Sequence, residues 1–180
     1  MPEGKTSTPS LFKKSEAVRD RIAAYSPKIL RRSAIRNDHK DIAHFINGHS
    51  GTLLEIGSFR GASAAYFSQF FDHVITIDLI DGQAGDWDRK KFWCDLGIDN
   101  ITEILVKDDK EKSTVVKYLD FDFAFIDGAH DEGVILDFKL VKKCGNVLFH
   151  DYGSDRNKVT GFVNTLDNVE VSGNVAFWTV

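Results

Sequence analysis

The residues best suited to chemistry in this 180-residue sequence are acids and histidines that follow short apolar runs. Asp127 and His130 come after the run FAFI, and Asp151 comes after NVLF. An imidazole titrates near neutral pH and can accept the proton of a hydroxyl group, so His130 is the candidate general base beside Asp127. If the two runs are neighbouring strands, about 4.8 Å apart, their carboxylates face one point and repel unless a cation separates them.

A divalent cation is one way to hold these two carboxylates together. Mg²⁺ takes one or two carboxylates and keeps its other positions for water or substrate oxygens, so Asp127 and Asp151 are the predicted metal ligands. The alternative is structural: Asp127 caps the next helix, while His130 and His150 hydrogen-bond to nearby backbone groups.

A loop with two glycines follows the first apolar run, TLLEI. Glu55 stands two residues before Gly57, and a second glycine, Gly61, follows four residues later. A G-x-G-x-x-G dinucleotide loop would need glycine where Phe59 stands, and an acid before the loop would repel a pyrophosphate. The loop therefore disfavours a nicotinamide cofactor and suits a ligand that carries an amino or cationic group.

Alternating strand and helix patterns position these residues. After the first fifty residues the chain shows five strand–helix pairs, and runs such as VITI and FAFI are wholly or almost wholly apolar, as in parallel strands buried on both faces. A hairpin around Gly173 makes the predicted sheet mixed. Nearer the N-terminus, one helix is predicted with Ser10 as its cap. A second is predicted to begin at Asn37 or Asp38 and to end at Gly48.

The carboxyl ends of the predicted strands share one property, because each carries an acid. In order along the chain these acids are Glu55, Asp78, Asp108 with Asp109, Asp127 and Asp151. Turns favour Asp, but acids after all five strands are harder to explain by turn chemistry alone. Ligands of open parallel sheets bind beyond these strand ends, so the sequence predicts a binding site at this edge.

The loop and the strand ends together carry a family resemblance. The segment LLEIGSFRGASA resembles the first motif of class I S-adenosylmethionine-dependent methyltransferases. Ser63 also matches small-molecule O-methyltransferases of the catechol and caffeoyl-CoA type and related sugar and natural-product enzymes. The resemblance continues in order through Asp78, FDFAFIDGAH and KKCGNVLFHD, and covers roughly Leu53 to Tyr152. It implies an α/β fold with a Rossmann-like, doubly wound, seven-stranded mixed sheet of order 3-2-1-4-5-7-6, in which strand 7 is antiparallel.

The resemblance also implies which residues bind S-adenosylmethionine. These are Glu55, Gly57, Ser58, Gly61, Ser63, Asp78, Asp108 and Asp109. The glycines would let the backbone approach the methionine part, Glu55 would lie near its amino group, and Ser63 near its carboxylate. Asp78 would accept hydrogen bonds from the ribose hydroxyls, and an acid after strand three would lie near the adenine edge.

The sequence departs from the metal-dependent catechol type at the end of strand five. Those enzymes have Asp-Asn there, with both residues bound to the cation, whereas this chain has Asp151-Tyr152. One expected ligand is therefore absent. His130 stands where those enzymes place a lysine base. The expected cofactors are S-adenosylmethionine and, if a cation lies between the two acids, Mg²⁺.

Composition excludes several classes of protein. A net charge of −4 disfavours non-specific nucleic-acid binding, and two cysteines cannot form a disulfide framework or a four-ligand zinc site. No apolar run is long enough for a membrane span, and the N-terminus is polar, unlike a signal peptide. A cytoplasmic location is expected. The expected organisation is a tail and helices over residues 1–50, packed on a methyltransferase domain over residues 51–180.

The predicted function is methyl transfer from S-adenosylmethionine (the EC 2.1.1 class) to an oxygen of a small-molecule or sugar-like acceptor. A non-catalytic regulatory or assembly module that binds the same cofactor is the alternative, because fold alone does not establish activity. A nucleic-acid methyltransferase is disfavoured by the net charge and by the lack of an Asn-Pro-Pro-Tyr type of motif. The N-terminal helices are expected to cover the cofactor edge or to form a homodimer contact.

Overall fold

The computed structural model describes residues 8–80, 87–154 and 158–180. Its strands are β1 Thr52–Ile56, β2 His73–Leu79, β3 Ile101–Val106, β4 Phe123–Ile126, β5 Asn146–Phe149, β6 Val169–Ser172 and β7 Val175–Thr179. Its helices are α1 Thr8–Tyr25, α2 Pro27–Leu30, α3 Ile35–Ile46, α4 Ala62–Phe67, α5 Arg89–Asp95, α6 Asp109–Val116, α7 Gly133–Val141 and α8 Val159–Val163, with a 3₁₀ turn at Lys142–Cys144.

All seven strands form one sheet in the order β3-β2-β1-β4-β5-β7-β6. Strands β1 to β5 pair in parallel, and β7 runs antiparallel to both β5 and β6. The predicted topology is confirmed, including the terminal hairpin. Because the strand order reverses between β1 and β4, the ends of these two strands flank the crevice in which such folds bind ligands.

Two apolar layers cover the sheet, as the strand sequences require. Successive side chains of a strand point to opposite faces, so Leu53 packs with the layer that contains α1 to α5. Leu54 packs with the layer that contains α6 to α8. Both side chains are completely buried. The near-continuous apolar runs of the central strands therefore reflect burial on both faces.

The N-terminal helices differ from the sequence prediction in their starting points. Helix α1 begins at Thr8, so Ser10 lies inside it, and the prediction that Ser10 caps the helix is wrong. Helix α3 spans Ile35–Ile46 and therefore starts before Asn37. Its buried apolar residues include Ile35, so docking on the core extends the helix beyond its polar start signal.

The first helices pack on the same core as the sheet. Helix α1 contacts α3 and α4, and α3 also contacts β7. These contacts support the proposal that residues 1–50 belong to one packed domain with the rest. No helix within the described segments is long and apolar enough to span a membrane.

Candidate active site

The first acid of the site, Glu55, is completely buried in β1. Its Oε2 atom accepts a hydrogen bond of 2.6 Å from the Thr76 hydroxyl, which the β1–β2 register places directly beside it. Burial raises the pKa of this carboxyl to about 7, although hydrogen bonds from Ser63 and Thr76 oppose the rise. The group therefore changes charge near neutral pH, where binding of a cation could ionise it.

The two glycines of the following loop are required by close contacts within the protein. Gly57 has φ +93°, and a Cβ atom there would lie 2.5 Å from the Cα atom of Gly128, so any side chain would separate β1 from β4. Gly61 has φ +75°, and a Cβ atom there would lie 2.7 Å from the Trp93 ring. The Trp93 indole N–H also donates to the Gly61 carbonyl over 2.9 Å. The glycines thus let the loop fold tightly over the strand ends.

Phe59, in the middle of the loop, takes a left-handed conformation with φ +47°. Asp78 Oδ2 accepts the Phe59 N–H at 2.9 Å, and the Arg89 guanidinium donates to the Phe59 carbonyl at 2.9 Å. Arg89 also pairs with Asp78 at 2.9 Å and with Glu103 at 2.5 Å. A non-glycine residue in this region costs energy, and these contacts hold it in place. No pattern in the sequence pointed to Arg89.

The predicted cofactor residues occupy three different positions. Gly57, Asp78 and Asp109 line the cavity beyond the strand ends, whereas Glu55 in β1, Ser58 in the turn after it and Ser63 in α4 are buried. Asp108 caps α6 by accepting the Glu111 N–H at 2.8 Å, which is a sufficient structural reason for its presence. The Ser58 hydroxyl has no hydrogen-bond partner among the described residues, which leaves a polar group of the turn available.

The predicted reaction centre does come together at the ends of β4 and β5. Asp127, His130 and Asp151 each offer a ligand atom, and these atoms lie within 4.8 Å of one another. His130 Nε2 lies 2.5 Å from Asp151 Oδ2. A carboxylate only accepts, so this nitrogen carries a proton, and in the neutral form of the ring Nδ1 keeps its lone pair. Asp151 itself has φ +60°, a strained conformation of the kind that clusters at functional sites.

His150 is the residue whose role sequence reasoning missed. The register pairs Ile126 with Phe149, so the next residue beside Asp127 is His150 rather than Asp151. His150 Nδ1 contacts Asp127 Oδ1 at 3.0 Å and Asp151 Oδ1 at 3.3 Å. The structure therefore excludes the alternative in which His150 bonds only to backbone groups.

A third carboxylate reaches the same imidazole from α3. Asp38 Oδ2 lies 2.9 Å from His150 Nε2, and Asn174 donates to the other oxygen of Asp38 over 3.2 Å. Both ring nitrogens of His150 thus face acceptors, which requires the doubly protonated imidazolium. The only signal in the sequence was a histidine immediately before a strand-end acid, and nothing local connects it to Asp38.

The pKa values of the centre follow from these contacts. Burial alone lowers the pKa of His150, but hydrogen bonds to Asp127, Asp151 and Asp38 outweigh it and raise the value to about 12. The hydrogen bond to Asp151 raises the pKa of His130, and bonds from His130 and His150 lower the pKa of Asp151. His150 is therefore a fixed cation, whereas His130 titrates above its ordinary range.

The donor set does not fit Mg²⁺. This ion prefers six oxygen ligands, but two of the groups at the centre are imidazoles, and the charged His150 already separates the two carboxylates. Tyr152, which stands where the metal-dependent enzymes have Asn, donates its hydroxyl to Asn164 at 2.9 Å. The assignment of Asp127 and Asp151 as metal ligands stays a prediction, and no chemical step below depends on a metal.

One cavity of about 710 Å³ joins the two halves of the site. It extends from Asp78 and Asp109, past Gly57, to the reaction centre, and residues of α3 and of the turn before it also line it. The expectation that the N-terminal helices cover the cofactor edge or form a homodimer contact stays a prediction. A cavity of this size can hold a cofactor together with a small acceptor.

Comparisons with solved structures confirm the fold. A candidate caffeoyl-CoA O-methyltransferase from Staphylococcus aureus is 16% identical, with a TM-score of 0.56 over 72% of this chain and 76% of that chain. An O-methyltransferase from Bacillus cereus in complex with S-adenosylhomocysteine is 15% identical, with a TM-score of 0.54 over 72% and 74%. The S-adenosylhomocysteine-bound methyltransferase PaMTH1 of Podospora anserina is also 15% identical, with a TM-score of 0.54, and that match covers 99% of this chain and 90% of PaMTH1.

The family comparison covers the site itself. No curated protein matches the sequence. A family model described as a methyltransferase domain matches residues 54–152, which include the glycine loop, Asp78 and the whole reaction centre. That match spans more than half of the chain, and the sheet has the strand order expected for the fold. The chain therefore belongs to the methyltransferase domain family and has the Rossmann-like fold of the class I S-adenosylmethionine-dependent methyltransferases.

Proposed function

We propose that this protein is an S-adenosylmethionine-dependent O-methyltransferase that acts on a small-molecule or sugar-like acceptor. One observation carries the proposal: the glycine loop, Asp78 and the pair of His130 and Asp151 meet in a single cavity at the carboxyl ends of the strands. The glycine loop and Asp78 suit a cofactor, and His130 with Asp151 suits removal of a hydroxyl proton.

The cofactor half of the cavity has groups that match the parts of S-adenosylmethionine. When bound, this molecule supplies a methyl group that is already activated on a sulfonium. Glu55 would stabilise its amino group, and Ser58 and Ser63 would hydrogen-bond to its carboxylate. Asp78 would accept from the ribose, and Asp109 lies on the stretch of cavity wall that suits adenine. Because every part has a counterpart, the residues present fit the cofactor.

The acceptor half supplies a base and holds it in one orientation. Asp151 keeps the proton of His130 on Nε2, so Nδ1 can take the hydroxyl proton as the acceptor oxygen forms its bond to the methyl carbon. The carbon–sulfur bond breaks in the same step, and the proton stays on His130 until solvent removes it. His130 is half-exposed, so water can reach it.

Asp127 and His150 are assigned different tasks from His130. His150 bonds to carboxylates through both ring nitrogens and has no lone pair for a substrate proton, so it positions Asp127 and Asp151 and neutralises their repulsion. Asp127 Oδ1 faces His150, which leaves Oδ2 as an acceptor for a second hydroxyl of the substrate. This division of roles favours acceptors with more than one polar group.

The proposal is tested by separating cofactor binding from turnover. Calorimetric titration with S-adenosylmethionine and S-adenosylhomocysteine should show binding to the wild type and no binding of NAD. His130→Ala should keep that affinity but lose methyl transfer to every acceptor that the wild type methylates. His73→Ala is the matched control, because His73 lies at the opposite end of β2 and its ring bonds, among the described residues, only to Thr102.

The outcomes also decide between an enzyme and a binding module. Wild-type affinity for the cofactor without methyl transfer to any member of a broad panel of hydroxylated acceptors would favour the module. Absence of cofactor binding would overturn both interpretations. Turnover at the wild-type rate in both His130→Ala and Asp127→Asn would remove the proposed reaction centre while leaving the methyltransferase assignment in place.

A further inference from the structure

The turn between α2 and α3 places three arginines at the cavity. Arg31 and Arg32 follow α2 directly, Arg36 lies in the first turn of α3, and all three line the cavity that contains the reaction centre. Each of these side chains is exposed. Within six residues the chain thus presents three permanent positive charges to the same space.

These charges are not neutralised by the described protein around them. Neither Arg31 nor Arg32 has a guanidinium contact with a described carboxylate or carbonyl, and Arg36 makes only a long hydrogen bond of 3.4 Å to the Arg31 carbonyl. In contrast, Arg19 pairs with Glu16 and Asp20, and Arg89 pairs with Asp78 and Glu103. Arginines that repel one another without partners are stabilised when an anion binds between them.

The helix that carries Arg36 contacts the acceptor half of the cavity. Arg36 stands two residues before Asp38, and the Asp38 carboxylate contacts His150, which in turn contacts Asp127. The turn that carries the arginines is therefore anchored to the reaction centre. A ligand that fills the cavity therefore has carboxylates, imidazoles and exposed guanidinium groups among its surroundings.

We propose that the acceptor carries an anionic group, either phosphate, sulfate or carboxylate, which Arg31, Arg32 and Arg36 bind while its hydroxyl faces His130. This inference rests on the proposed function, because it assigns the acceptor to the same cavity. Planar guanidinium groups form paired hydrogen bonds with such anions, which supplies both affinity and orientation. The net charge of −4 favours a small anion over a nucleic acid.

The test measures anion binding directly, with inorganic pyrophosphate as the probe. The protein is titrated calorimetrically at low ionic strength in the presence of S-adenosylhomocysteine. We expect Arg31→Gln/Arg32→Gln to bind pyrophosphate about tenfold or more weakly than the wild type, since each lost charge-assisted bond contributes about that much. The matched control is Lys13→Gln/Lys117→Gln, which removes two exposed charges that do not line the cavity and should bind like the wild type.

Each result has a defined meaning. Equal pyrophosphate affinity in the wild type and in Arg31→Gln/Arg32→Gln, or no binding by the wild type, overturns the inference. A single-stranded RNA that binds through the same arginines more tightly than the roughly micromolar limit of non-specific binding would overturn the small-molecule form of it. Arg31→Lys/Arg32→Lys keeps both charges but loses the paired guanidinium hydrogen bonds, so it should bind pyrophosphate more tightly than the Gln variant and more weakly than the wild type. Wild-type affinity in the Lys variant would contradict recognition through paired guanidinium bonds.

Failure of this inference can be told apart from failure of the proposed function. Arg31→Gln/Arg32→Gln should bind S-adenosylmethionine as the wild type does, because neither arginine is among the proposed cofactor residues. Loss of the arginine dependence with cofactor binding intact overturns only the anionic acceptor. Absence of cofactor binding in the wild type overturns the proposed function, whatever the pyrophosphate titration shows.

Discussion

Glu55 is an acid at a position where charged side chains are rare. Its carboxyl is completely buried in a central strand, and this burial raises its pKa to about 7. A buried carboxylate is costly unless a cation or several donors stabilise it. The ionised form of Glu55 therefore destabilises the ligand-free protein, and a cationic ligand that pairs with the carboxylate would relieve this cost.

The first prediction concerns stability. A carboxyl whose folded pKa is raised favours the folded state at low pH, and this advantage is lost as pH rises from 4.5 to about 7. Glu55→Gln should remove that pH dependence and stabilise the ligand-free protein at pH 8 by up to about 3 kcal/mol. Urea unfolding at pH 5 and pH 8 measures both effects. The exposed Glu170→Gln is the control, and identical pH dependence in wild type and Glu55→Gln would contradict the assignment.

The second prediction concerns cofactor binding. If the amino group of S-adenosylmethionine needs the ionised form of Glu55, affinity should rise with pH up to about 7 and then level off. Only about a tenth of a group with this pKa is ionised at pH 6, so binding should be about tenfold weaker there than at pH 8. Titration of Glu55→Gln should give weaker binding without this dependence. A wild-type affinity that does not change between the two pH values would place the amino group elsewhere.

The third prediction concerns Asp78 and distinguishes its proposed contact with the cofactor ribose from its ion pair with Arg89. Asp78→Ala should weaken S-adenosylmethionine binding by about 1.5–3 kcal/mol, because charge-assisted bonds to the ribose are lost. Arg89→Gln breaks the same ion pair but keeps the carboxylate, so it should retain the affinity that Asp78→Ala loses. Calorimetry on both variants, with unfolding curves to confirm folding, makes the comparison. Equal losses in the two variants would assign the effect to the Phe59 turn and not to the ribose.

At the scale of elements, α3 is fastened to the sheet by polar contacts as well as by apolar packing. Asp38 joins it to β5 through His150, and Asp41 accepts the Ser172 hydroxyl of the β6–β7 hairpin at 2.5 Å. These hydrogen bonds hold α3, and with it the turn that carries Arg31 and Arg32, beside the strand ends. The position of one helix thus determines the shape of the acceptor half.

The fourth prediction follows from that fastening. Asp38→Ala removes one partner of a buried ion pair and should destabilise the protein by about 3–5 kcal/mol at pH 7. The raised pKa of His150 stabilises the folded state fully below pH 6.5, and this contribution declines as pH rises toward 12. The stability of the wild type should therefore fall between pH 7 and pH 10 in urea unfolding, because His150 loses its proton in the unfolded chain but keeps it in the folded protein. A wild-type stability that does not fall over this range would mean that His150 is not held in its charged form.

At the scale of the whole molecule, charge is distributed unevenly around one cavity. The chain is acidic overall, with a net charge of −4, and acids at or just after the ends of four strands, Asp78, Asp109, Asp127 and Asp151, line the floor of the site. Arg31, Arg32 and Arg36 line the same cavity. The imidazolium of His150 lies within the floor and neutralises part of it, so the fold already contains the cation that the neighbouring carboxylates require.

The fifth prediction is that Mg²⁺ does not stabilise this protein. A bound ion would raise the melting temperature by mass action, but the carboxylates of the centre are already paired with His130 and His150. Thermal unfolding with millimolar MgCl₂ should match unfolding in NaCl of equal ionic strength, and methyl transfer should continue in a chelator. A Mg²⁺-dependent rise that disappears in Asp127→Asn would restore the metal site.

The sequence by itself determined how strands and helices follow one another along the chain and at which edge of the sheet the site lies. Apolar runs buried on both faces and turn residues are local signals, and acids at strand ends meet whenever parallel strands share a direction. For this reason Asp127, His130 and Asp151 could be named as one centre before their positions were known. The resemblance of the glycine loop and later segments to class I methyltransferases added the order of the strands within the sheet and the expected cofactor.

Only the tertiary structure decided which side chains contact one another within that site. Asp38 and His150 are 112 residues apart, and their contact depends on how α3 docks and on the β4–β5 register. Arg31 lines the cavity because that same docking places the turn before α3 beside it. The pattern of a strand predicts on which face of the sheet, and at which end of the strand, a residue lies. The direction of a polar side chain depends on its partners, and long-range packing brings those partners to it.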